Sequence, residues 1–139
     1  MDNTNNDYPR VLSATTIIGD KVVNTAGEQL GSITELMIDL DDGLIAYAVL
    51  SFGGILGMGN KLFAIPWEAI TIDTENHDVI LDVDKEVLEN APGFDKDNWP
   101  DNAKYEAGWL LGVYEYYGYE PYWMPGEEDE FQDQGEDTR

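Results

Sequence analysis

Ile45-Ala46-Tyr47-Ala48-Val49-Leu50-Ser51-Phe52 and Lys61-Leu62-Phe63-Ala64-Ile65-Pro66 are apolar runs joined by Gly53-Gly54-Ile55-Leu56-Gly57-Met58-Gly59-Asn60, and this stretch, Leu44 to Trp67, decides the fold. In an extended chain successive side chains point to opposite faces. The first run therefore sets Ala46, Ala48, Leu50 and Phe52 against Ile45, Tyr47 and Val49, and the second sets Phe63 and Ile65 against Leu62 and Ala64. Strands apolar on both faces need cover on both sides. Pro66 lacks an N–H and stops the pairing, so the unit reads as a hairpin. Its loop has four glycines able to take positive φ, yet it presents the large apolar side chains of Ile55, Leu56 and Met58. These three are candidate partner-binding residues, because apolar side chains gathered at a loop call for cover.

The chain of 139 residues has room for one domain with tails. It contains no cysteine, which removes disulfides and thiolate metal sites from consideration. Met1 to Asp7 is polar and acidic, without the basic and apolar regions of a secretion signal, and nowhere do about 20 apolar residues run together. The expectation is a cytoplasmic protein that does not insert into membranes. Net charge is −22: residues 1–10 contribute −1, residues 11–92 have fourteen acids and three bases, and residues 93–139 have thirteen acids and three bases. Lys21, Lys61, Lys85, Lys96 and Lys104 are scattered, so no basic patch forms to hold a phosphate backbone or an anionic leaflet. Direct nucleic-acid binding is disfavoured. The acidity has two open readings, life at high salt or a soluble acidic protein.

In chain order, residues 1–11 have the composition of a disordered lead-in. Ser13 to Gly19 reads as a short capped turn and Lys21 to Val23 as a brief strand. Gln29 to Leu40 is a longer strand with Leu36, Ile38 and Leu40 on one face, and Asp41-Asp42-Gly43 turns it into the central hairpin. A turn at Trp67 to Ile70, a strand from Thr71 to Asp73, a turn at Thr74 to His77 and a strand from Asp78 to Val83 follow. Asp84 can cap a helix that Pro92-Gly93 ends. About six short strands joined by turns predict an all-β fold, a small closed antiparallel barrel with short helical turns.

Gly27-Glu28-Gln29-Leu30-Gly31-Ser32-Ile33, Ala46 to Gly54, Lys61 to Trp67 and Leu88-Glu89-Asn90-Ala91-Pro92-Gly93-Phe94 together resemble the PRC-barrel family. That family is named for the domain shared by the H subunit of photosynthetic reaction centres and the C-terminal half of a ribosome maturation factor. The resemblance spans residues 12–94 and implies a six-stranded barrel without enzymatic activity or cofactor. It further implies binding to other proteins, sometimes through self-association into a homodimer. Two narrower roles follow from the relatives: a factor in RNA metabolism or ribosome assembly acting through a protein partner, or a soluble component of a membrane-associated electron-transfer complex. Residues 95–125 form an aromatic-rich extension and residues 126–139 an acidic tail with the composition of disorder.

Motifs for chemistry fail on their own spacing. Gly54 to Gly59 begins like a phosphate-binding loop, but Asn60 stands where the lysine belongs and no Ser or Thr follows Lys61. Asp39-Leu40-Asp41-Asp42-Gly43 begins like a calcium loop, but the loop's glycine position is Leu44, and Asp95 to Asp101 fails at Trp99 and Pro100. His77 is the single histidine, in a turn among acids, with no nucleophile or orienting partner to be picked out. We therefore expect no catalytic, metal or cofactor residues.

From Tyr105 to Trp123, eight of nineteen residues are aromatic, too much apolar area for a linker. One reading packs Trp109, Leu110, Leu111 and Val113 on the outer face of the central strand. The other makes Tyr116, Tyr117, Tyr119, Tyr122 and Trp123 a docking segment for a protein partner, extended around Pro121 and Pro125. On the second reading, a chain cut at Tyr114 keeps its barrel and loses its main interaction.

Overall fold

The computed structural model describes residues 8–52, 61–95, 97–100 and 107–123; Ile55, Leu56 and Met58 lie outside the described residues. Ser13 starts a short helix, α1 (Ala14–Ile17), by accepting the Thr15 N–H on its side chain at 3.3 Å. Then come β1 (Lys21–Val23), β2 (Gln29–Asp39), β3 (Leu44–Phe52), β4 (Lys61–Pro66) and a 3-10 turn at Trp67–Ala69. β5 (Ile70–Asp73), β6 (Asp78–Leu81), α2 (Lys85–Glu89), β7 (Phe94–Asp95) and α3 (Ala107–Tyr117) complete the order. No described helix is long and apolar enough to cross a membrane.

The strands form one seven-stranded sheet in the order β5-β6-β1-β2-β3-β4-β7. The predicted hairpins are present: β2 pairs with β3 from Gly31↔Phe52 to Asp39↔Leu44, and β3 with β4 from Tyr47↔Pro66 to Ser51↔Leu62. The sheet is rolled. Laid flat, it would hold β4 and β5 five strand spacings apart, about 24 Å. Only Trp67, Glu68 and Ala69 join them, and these reach at most about 14 Å. Rolling gathers Val22, Leu30, Ile33, Ala48, Leu50, Phe63, Ile65, Val79 and Leu81 into one core, which Ile17 of α1 and Leu88 of α2 close at its ends.

Three sequence expectations are corrected. The closed barrel does not form: among the described residues the hydrogen-bonded order ends at β5 and β7, because Pro66 stops β4 and the 3-10 turn carries the chain past the seam before β5 begins. The sheet is not wholly antiparallel, since β6 returns alongside β1 in parallel, Lys21↔Asp78 to Val23↔Ile80. Leu36, Ile38 and Leu40 are not buried together: Leu40 lies in the turn beyond β2, and Ile38 sits near the strand end, where pairing steps from Met37↔Tyr47 to Ile38↔Ile45 and leaves Ala46 as an extra residue in β3. Leu36 packs on the core, whereas Ile38 and Leu40 are exposed.

Asn24 is the buried polar residue that fixes the β1–β2 turn. Its Oδ1 accepts the Ala26 and Glu28 N–H groups at 3.1 and 2.9 Å, while its Nδ2 donates to Glu28 Oε1 at 2.8 Å and the Val83 carbonyl at 3.1 Å. The amide thus ties the turn to the chain that leaves β6. Asn24→Ala strands buried partners, so we expect a loss of about 2–4 kcal/mol in urea unfolding.

Candidate interaction surface

β3 and β4 are apolar on their second face too, and the structure shows what covers it. Tyr47, Val49, Leu62 and Ala64 form a second buried cluster beneath α3, which contributes Val113 and the partly buried Trp109, Leu110 and Tyr117. Those α3 residues recur at helical spacing and so fall on one face. The Tyr114 ring, fully buried, donates its hydroxyl to the Ala46 carbonyl of β3 at 2.7 Å. Trp109 meets Tyr47 edge to face at 5.6 Å between ring centroids.

α3 ends at Gly118, whose φ of 84° suits a residue without Cβ. The Gly118 N–H bonds the Glu115 carbonyl at 3.1 Å and the Tyr119 N–H bonds the Tyr114 carbonyl at 2.9 Å, which turns the chain back. The returning segment sets Trp123 at 5.1 Å from both Tyr114 and Tyr122. The Tyr122 hydroxyl donates to Asp39 Oδ2 at 2.6 Å, pinning the segment to the end of β2. Asp39 also ends the β2–β3 hairpin: its Oδ1 accepts the Asp41 and Asp42 N–H groups at 2.9 and 3.1 Å. The Tyr122 hydroxyl first, then the backbone of Asp42 and Asp41, holds the Asp39 carboxyl below the usual carboxylate range.

Between the hairpin tip and α3 lies a cleft of about 450 Å³. Met37, Tyr47, Leu110, Tyr122 and Trp123 give it apolar and aromatic walls. Asp39, Asp41 and Asp42 line one side, with Ile38 beside them. Ile38, Leu40 and Leu44 leave 54%, 90% and 49% of their surface exposed around the tip. A second cavity, of about 700 Å³, opens at the sheet seam between Leu36, Ile45, Trp67 and Ile72, beside Val11 and Leu12.

The aromatic docking candidates divide. Tyr116 and Tyr119 are exposed, although the Tyr116 hydroxyl donates to the Val87 carbonyl at 2.7 Å. Tyr117, Tyr122 and Trp123 are half-buried, and Tyr117 touches both clusters with a buried hydroxyl that meets no hydrogen-bond partner among the described residues. Of the extended course expected from Gly118 to Pro125, the described part has turns at Gly118 and Tyr122–Trp123, and the chain folds back on the sheet. Met37 was not singled out in the sequence, and Ile38, Asp39 and Leu110 were named there for other roles; the signal available was three aspartates set among apolar residues at one hairpin turn. His77 is exposed in the β5–β6 turn with φ 59°.

Burial first raises the pKa of each of three tyrosines, reinforced by Glu68 at Tyr114, Tyr116 at Tyr117 and Asp39 at Tyr122. The fold then keeps protons that the unfolded chain, with tyrosyl pKa values near 10, releases. Their contribution to stability is fully present below about pH 10 and is lost as pH rises toward the folded-state values. We expect tyrosinate absorbance to rise in two stages, the second coinciding with loss of circular dichroism. Tyr117→Phe should shift unfolding to higher pH, since it removes a buried ionisable hydroxyl that has no hydrogen-bond partner among the described residues.

The sequence model of the PRC-barrel domain family matches residues 9–88, more than half of the chain, and the protein belongs to that family. α3 and the segment that returns from it lie beyond the matched residues. Among solved structures the chain is similar to RimM of Pseudomonas aeruginosa, described as a 16S ribosomal RNA processing protein, at 17% identity and a TM-score of 0.40. The alignment covers 54% of this chain and 45% of that one, so this chain spans less than half the relative's length. No curated protein matches the sequence.

Proposed function

We propose that this PRC-barrel protein is a non-enzymatic module that binds another protein. The observation that carries this reading is the β2–β3 hairpin tip, where Ile38, Leu40 and Leu44 stand exposed beside an aromatic-walled cleft. A chain of net charge −22 has ample polar surface, and grouped exposed apolar side chains mark contact sites. Tyr116 and Tyr119 extend the candidate surface along α3, and the Ile55, Leu56 and Met58 loop remains part of the proposal. The partner is a different protein rather than a second copy, because two such acidic chains repel at short range. RNA is disfavoured as a direct ligand for the same reason.

The test is affinity purification of the tagged full-length chain from its native cell, with and without nuclease. The reading expects one protein in near-stoichiometric amount, retained after nuclease. Capture that nuclease abolishes would replace it with direct RNA binding, and recovery of the chain alone or with itself would refute a heterologous partner.

A further inference from the structure

We infer that the cleft between the β2–β3 hairpin tip and α3 is the docking site for a partner segment that presents a lysine or arginine flanked by large apolar side chains. This rests on the protein-binding reading above and specifies the chemistry of the partner. The cleft volume, about 450 Å³, falls within the range of about 300–1,000 Å³ typical of binding pockets. Its walls, with Met37, Leu110 and three aromatic side chains, suit the aliphatic stem of a long cationic side chain. The apolar surface continues outward through Ile38 to Leu40 and Leu44, more area than a small ion or a free amine covers.

Charge selects among occupants. Asp39, Asp41 and Asp42 lie on one side of the cleft, and the ion pair described in this chain, Lys21 with Asp78 at 3.5 Å, lies elsewhere in the sheet. Among the described residues no cation meets these three carboxylates. Met124 to Arg139 carries seven acids and one base, so its charge is of the same sign as that of the three aspartates and does not complement the cleft. A second copy at −22, RNA and an anionic membrane are disfavoured in the same way. What remains is a protein segment with the opposite charge and apolar flanks.

The experiment titrates the isotope-labelled full-length protein with an acetylated, amidated heptapeptide of alternating leucine and lysine. A leucine–glutamate counterpart and spermine serve as comparisons. The inference expects amide shifts at Met37, Ile38, Leu110, Tyr122 and Trp123 with the cationic peptide and none with the acidic one. Asp41→Asn with Asp42→Asn should weaken binding roughly five- to tenfold, and added salt should weaken it further. Those two side chains are exposed at a turn, so an unchanged melting temperature confirms that the fold is kept. Ile38→Gln should weaken binding about as much, which separates docking from attraction by charge alone.

Absence of binding, shifts elsewhere, equal shifts from spermine, or affinity unchanged by the double substitution would each overturn the inference. The same double variant in the native-cell purification separates the two levels. A partner still captured refutes the cleft and leaves the protein-binding reading standing, whereas no partner with the unsubstituted chain refutes that reading itself.

Discussion

Tyr114→Ala should destabilise the protein by about 3–5 kcal/mol, the usual cost of emptying a buried aromatic site. The ring is fully buried between the outer face of β3 and the returning Trp123, with their centroids 5.1 Å apart. Truncation empties the space beside Tyr122 and Trp123 and leaves the Ala46 carbonyl without its 2.7 Å donor. Tyr114→Phe separates the two terms, because it keeps the ring and removes only the hydrogen bond, at a cost of about 1–2 kcal/mol. Urea unfolding followed by circular dichroism measures both. A chain cut at Tyr114 loses that buried ring together with Tyr117 and Tyr122, which pack against the second cluster, so it should be strongly destabilised rather than merely deprived of a partner.

Gly31→Ala should cost about 3 kcal/mol or more. Gly31 sits in β2 opposite Phe52 with φ 149°, and a Cβ built there runs into the Ser51 carbonyl of β3. The clash is with backbone, which cannot swing aside as a side chain tip can, so the β2–β3 ladder must open or slide. For a domain of this size the melting temperature should fall by at least about 10 °C. An alanine tolerated without change would mean that the two strands do not approach as described.

Sequence legibility followed the range of the interactions. The β3–β4 hairpin was readable because alternation assigns Phe63 and Ile65 to one face and Leu62 and Ala64 to the other, and the structure places them in the two clusters accordingly. The need for cover on both faces was readable for the same reason. The helix that provides the outer cover was harder to see, since Gly108, Gly112, Val113 and a run of aromatics all have modest helix propensity. Its signal was the spacing of Trp109, Leu110, Val113, Tyr114 and Tyr117, which is helical; the extended reading suggested by Pro121 and Pro125 began only at Gly118.

The extra residue in β3, Ala46, joins the cluster of Tyr47 and Val49 against the simple alternation, and such bulges leave no periodic mark. The parallel β1–β6 pairing depends on how far the sheet rolls, which no local pattern encodes. The cleft was the least legible feature. It exists because Gly118 turns Tyr122 back onto Asp39, joining a hairpin tip to a helix far away in sequence.

The central structural claim is that α3 and the Tyr122–Trp123 segment belong to the folded domain, and the cleft depends on it. Native-state hydrogen exchange tests this most directly. The amides of Val113, Tyr114 and Tyr117 should exchange with nearly the same opening free energy as those of Val49 and Leu50 in β3, and Tyr114→Ala should lower both together. Fast exchange throughout α3 beside a protected β3 would show the helix to be an appendage and remove the cleft with it.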